Sequence, residues 1–143
     1  MKKTLTILTF LILAILISSC KPEPKEMKVT FSGAECSYSG PQKIPAGKNT
    51  ITVDVQKDIK GTGGEVAMLT MEEGKTAADL EAWAEQGPPP WVNVFAGEAQ
   101  GIDPGNVMTR TFSVDGTTSP FYIVCFDSPQ TRNGVLGPFE VEK

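Results

Sequence analysis

The chain has 143 residues, 13 basic against 17 acidic side chains, and no histidine. A formal charge of −4 makes nucleic acid and anionic lipid headgroups poor partners, since both are themselves negatively charged. Without an imidazole, His-based zinc sites and every His-dependent catalytic triad are also excluded.

The first residues divide into a basic pair, Lys2 and Lys3, an apolar run of 13 residues from Leu5 to Ile17, and Ser18-Ser19 before Cys20. That is the plan of a secretory signal, and the run falls short of the roughly 20 residues that span a bilayer as a helix. Ile17-Ser18-Ser19-Cys20 resembles the bacterial lipobox, an aliphatic residue and two small ones before a cysteine that is acylated ahead of cleavage. The resemblance implies a lipoprotein signal peptide over residues 1–19, lipidation of Cys20 with palmitate-type chains, and export to the cell envelope. The alternative is an ordinary signal peptide with a chance cysteine at its end. Cleavage removes 19 of 143 residues and leaves 124, enough for one domain with a core. Losing Lys2 and Lys3 takes the net charge to about −6, so attachment falls to the acyl chains, at about 0.8 kcal/mol per buried methylene. Residues 20–27 carry the charged, proline-interrupted stretch Lys21-Pro22-Glu23-Pro24-Lys25-Glu26 and read as a lipidated tether. An aspartate after the lipidated cysteine resembles an inner-membrane retention signal; Lys21 stands there instead, which favours the outer membrane in a bacterium that has one.

Residues 28–143 are expected to form the domain. Lys28–Ser32 and Thr50–Val55 alternate polar and apolar residues between turn residues and read as half-buried strands. Further strands are expected at Glu65–Met71, Trp91–Phe95, Val107–Val114, Phe121–Phe126 and Val135–Val141. Six or seven short strands at this spacing imply a sandwich or barrel. Thr76–Glu85 breaks the pattern: helix formers follow a Thr N-cap with Asp79 three places on, and the segment ends before Gly87 and three prolines. Ala77, Leu80 and Ala84, with Trp83 alongside, share one side of this short helix, which should pack on the sandwich.

In order along the chain come Cys36-Ser37-Tyr38-Ser39-Gly40-Pro41, then Ile44-Pro45-Ala46-Gly47 before a strand, then Glu73-Gly74-Lys75-Thr76 leading into the helix with Asp79, Leu80 and Trp83. Pro104-Gly105, Tyr122-Ile123-Val124-Cys125-Phe126 and Gly137-Pro138-Phe139-Glu140-Val141 complete the series. This order resembles the cupredoxin-like fold of small extracytoplasmic bacterial domains. The resemblance implies an all-β, Greek-key β-sandwich with one short helix, and it puts Cys125 at the place of the copper cysteine. A blue-copper site needs two imidazoles beside that thiolate, so the expectation is a domain without metal or other cofactor. Met68, Met71 and Met108 are soft candidate ligands, but residues three apart face opposite sides of a strand, and core packing is the simpler reading.

No nucleophile elbow, phosphate loop or Cys-x-x-Cys pair is present. Glu72-Glu73 could serve as acid and base, or simply as a solvated turn; no enzyme is expected. Trp83 and Trp91 flank a proline-stiffened loop and, with Tyr38, make a candidate ligand surface for a sugar or a peptide. Alternatively, both tryptophans seal the edge of the sandwich beneath the helix. With Cys20 consumed by lipid, Cys36 and Cys125 remain in an oxidising compartment and are expected to pair. In a cupredoxin-like sandwich the first strands and the penultimate one can lie side by side; two separately buried thiols are the other possibility. The expectation is thus a lipid-anchored envelope module serving an envelope protein or small ligand. The alternative is an electron-transfer or copper-handling protein with a nonstandard metal site.

Overall fold

The computed structural model describes residues 26–83, 88–116, 120–128 and 131–142. The signal peptide, Cys20 and the tether as far as Lys25 lie outside the described residues, as do Ala84 and Glu85 of the expected helix.

Period-two alternation builds the first sheet. Met27, Val29 and Phe31 are buried along β1 (Met27–Ser32), and Ile51, Val53 and Val55 along β4 (Gly47–Val55). These strands run parallel with Val29 opposite Val53 and Phe31 opposite Val55, so their apolar faces coincide. β2 (Glu35–Ser39) flanks β1 and β7 (Val107–Val114) flanks β4, both antiparallel. The second sheet contains β3 (Lys43–Pro45), β5 (Gly64–Met71), β6 (Val92–Ile102), β8 (Phe121–Ser128) and β9 (Thr131–Glu142). Its order is β3-β9-β8-β5-β6, against β2-β1-β4-β7 in the first. The chain crosses to the second sheet for β3, returns for β4, crosses again for β5 and β6, returns for β7 and leaves for β8 and β9, a Greek-key route through a β-sandwich.

Between the sheets, the inward residues of β1 and β4 meet Val66, Met68, Ile123 and Cys125, and Phe112 of β7 stacks on Phe121 at 5.7 Å. β5 is buried on its other face as well, where Ala67, Leu69 and Met71 join Tyr122, Val124 and Leu80 of α1 (Ala77–Ala82). Met68 and Met71 therefore belong to different clusters on opposite faces of β5, as their spacing requires, and Met108 packs against the inter-sheet core.

Four details depart from the sequence reading. β2 and β3 were not expected: β2 shows only Cys36 and Tyr38 to the core between exposed Glu35, Ser37 and Ser39, and β3 is three residues long. β6 runs past Phe95 to Ile102 because it stays paired with β5 as far as Gly64, and Ala96, an extra residue between the Leu69–Phe95 and Met68–Gly97 pairs, makes a bulge that breaks the alternation. β9 begins at Thr131, ahead of Val135. The helix is shorter than expected, with Thr76 as its N-cap and Trp83 already extended at its C-cap.

Candidate functional site

α1 is fixed at both ends. The backbone N–H and the hydroxyl of Thr76 both donate to Asp79 Oδ2 at 2.9 Å, and these bonds hold the Asp79 carboxyl below its ordinary range. Leu80 anchors the helix to the second sheet. At the other end, the Leu80 carbonyl accepts from the Trp83 N–H at 3.2 Å and also from Arg132 Nη1 on β9, which places a cation where the backbone dipole is negative.

The loop that leaves the helix returns through Pro88–Pro90 to Trp91. Glu72 N–H donates to the Trp91 carbonyl at 3.0 Å, Val92 N–H to Pro89 at 3.1 Å, and Lys75 N–H to Glu72 at 3.1 Å. Trp91 is thereby set beside the turn from Glu72 to Lys75. Its ring lies 6.3 Å from that of Trp83 at 83°, an edge-to-face pair. The ammonium of Lys75 sits over Trp91, 5.1 Å from the ring centre, and 3.6 Å from Asp79. Both indoles are half-buried, and Trp91 packs on the cluster beneath the helix. Trp91 is thus partly a lid of that cluster, and both rings are partly surface, which joins features of both sequence readings. Lys75 was not assigned a part in this group from the sequence; the cation reaches Trp91 only because the ends of β5 and β6 pair. Arg132 was missed altogether, since nothing local links it to Leu80, 52 residues away.

Tyr38 does not join the pair. It points from β2 into the core on the other side of the second sheet, 4.7 Å from Phe139, and its hydroxyl donates to the Pro41 carbonyl at 2.9 Å. Burial pushes its phenol up to about 12. It is a corner residue of the sandwich, and the candidate surface reduces to Trp83, Trp91 and Lys75.

Cys36 and Cys125 form a disulfide, with Cα atoms 6.4 Å apart. The pairing is the expected one, and it runs between the sheets: Cys36 lies on β2 of the first sheet and Cys125 on β8 of the second. The bridge thus ties the sheets together and leaves Cys125 no free thiol. Among the described residues no group of three or more His, Cys, Asp or Glu could hold a metal ion. Glu72 and Glu73 are exposed in a turn. At the end of the sandwich beyond the bridge, an open cleft of about 370 Å³ is bordered by Asp54 and Asp58. Asp54 is engaged by Lys28 at 2.7 Å and Gln56 at 2.6 Å, and Asp58 accepts from Ser32 at 3.1 Å.

Strand order and bridge define a class: a disulfide-tied Greek-key β-sandwich with a helix and an aromatic pair on the outer face of one sheet. No family model and no curated protein matches the chain. Solved structures similar to it include two of bacterial origin. Reduced auracyanin from the photosynthetic bacterium Roseiflexus castenholzii is 14% identical, with a TM-score of 0.43 over 81% of this chain and 95% of that one. The azurin Az-iso2 from the obligate methylotroph Methylomonas sp. strain J is 16% identical, with a TM-score of 0.45 over 82% of this chain and 98% of that one.

Proposed function

We propose that the chain is exported, acylated on Cys20 and held in the cell envelope, where its cupredoxin-like β-sandwich serves as a binding or structural module without a copper centre. The Cys36–Cys125 bridge carries this reading. A disulfide that ties two sheets suits an oxidising compartment, which is where the lipobox-like leader would send the chain. The same bridge leaves Cys125 no thiolate for copper, and the sequence supplies no histidine. The module's contact surface is the Trp83–Trp91 pair with Lys75.

Fractionation with thiol trapping tests the proposal. Wild type is expected in the membrane fraction outside the cytoplasm and in the detergent phase on extraction, with neither Cys36 nor Cys125 open to alkylation. A cytoplasmic, detergent-independent protein with two reactive thiols would overturn it.

A further inference from the structure

The position at which the chain enters the sandwich, taken with the reach of the tether, assigns a partner to the tryptophan edge; this rests on Cys20 being the anchor. Met27 opens β1 opposite Ile51. The registers carry that end across the molecule. Gly47 of β4 pairs with Val114 of β7, Phe112 stacks on Phe121 across the core, Phe121 pairs with Thr70, and Met71 pairs with Val92, the neighbour of Trp91. Trp91, and with it Trp83 and Lys75, therefore lies toward the end where the chain enters. The disulfide lies toward the other, because Cys36 pairs with Phe31 late in β1 and Cys125 with Val66 early in β5.

Seven backbone steps separate Cys20 from Met27, a reach of at most roughly 25 Å. Met27 lies opposite Ile51, midway along the nine-residue β4, and β1 runs from it away from the Gly47 end, so the chain before Met27 comes in from the Gly47 end. An anchor on so short a lead keeps the Gly47 end near the bilayer, and the far end can touch it only if the tether folds back along β1. Tryptophan is favoured at the membrane–water interface because its ring is apolar and its N–H polar. A lysine beside it can cover apolar surface with its stem and keep its charge in the headgroup layer. Exposed Glu72 and Glu73, with Asp79 against Lys75, leave this edge without positive charge in excess, so attraction to anionic lipid is not what holds it.

We infer that the edge formed by Trp83, Trp91 and Lys75 is a membrane-contact face that sits in the zwitterionic headgroup layer beside the anchor. The test uses the mature protein purified from membranes and placed in phosphatidylcholine vesicles that contain a brominated phosphatidylcholine, a contact quencher of indole fluorescence. The emission should be quenched by the brominated lipid and shielded from acrylamide. The quenching should fall in Trp83→Phe and Trp91→Phe separately, and an added fraction of anionic lipid should not increase it. Fatty-acid analysis of the same sample separates the two readings. Acylated Cys20 without bromolipid quenching overturns the contact face and leaves the anchor standing. If Cys20 is not acylated, the anchor reading fails, and the contact is read on the chain coupled to a maleimide lipid through Cys20, its one thiol outside the disulfide. Absence of quenching there also overturns it. Protection from acrylamide by peptidoglycan fragments or peptide, with no response to bromolipid, would assign the edge to a soluble ligand instead.

Discussion

Replacing Cys36 and Cys125 together by alanine should cost the domain a large share of its stability. The bridge joins residues 89 apart in sequence, and the chain-entropy relation for a loop of that length gives about 4–5 kcal/mol. Cys125 is fully buried between the sheets, so loss of its sulfur adds on the order of 1 kcal/mol for the space left behind. Against a typical total of about 5–15 kcal/mol, the variant should be marginally stable. Its melting temperature should drop by about 10–25 °C, taking a few degrees per kcal/mol for a domain of this size. Urea unfolding followed by tryptophan emission measures the change, and reduced wild type should behave like the double variant because both lose the same constraint. A loss below about 1 kcal/mol would refute the reasoning, since it would mean that the bridge removes little freedom from the unfolded chain. Alkylation of both cysteines without reductant would refute the bridge itself.

Leu80→Ala removes the one buried side chain of α1 and should cost about 2–5 kcal/mol; the near-ultraviolet signal of the Trp83–Trp91 pair should weaken, and an unchanged melt and spectrum would contradict the packing described. Gly64→Ala would drive a methyl into Val55 Cγ2 and against the Phe31 ring, an overpacking loss of about 1–3 kcal/mol by urea unfolding; a neutral result would mean that β5 can shift outward there. The Tyr38 phenol, raised to about 12, should keep its proton in the folded state at a pH where the unfolded chain has lost it. Stability is then fully present below about pH 10 and declines as pH rises toward 12. Tyr38→Phe should flatten that decline, and a titration of wild type at the ordinary phenol value would count against the burial.

Strands marked by alternation or by an apolar, β-branched run between turn residues could be read from the sequence. Lys28–Ser32, Thr50–Val55 and Glu65–Met71 lie within a residue or a few of their observed bounds, and Val107–Val114 matches its strand. β2 was hidden because its inward residues, Cys36 and Tyr38, are read as motif residues rather than as a core face, and β3 because three residues cannot establish a period. The extension of β6 was hidden by its bulge, whose cause is the pairing with β5 and not any local preference. At the candidate site, the helix and both tryptophans were legible from helix formers, a capping residue and prolines. The placement of Tyr38 was not, because alternation along β2 does not reveal which side of the second sheet it faces. Lys75 over Trp91 and Arg132 on Leu80 depend on strand pairing far along the chain, which composition and spacing do not encode.

The central claim is a chain cleaved before Cys20 and anchored by lipid on that residue, and the intact mass of the protein purified from membranes tests it most directly. The account predicts a polypeptide that begins at Cys20, carries acyl chains on that residue, and is two hydrogens lighter than its reduced form because Cys36 and Cys125 are joined. A polypeptide that retains residues 1–19, or one that begins at Cys20 with no added lipid mass, would contradict it.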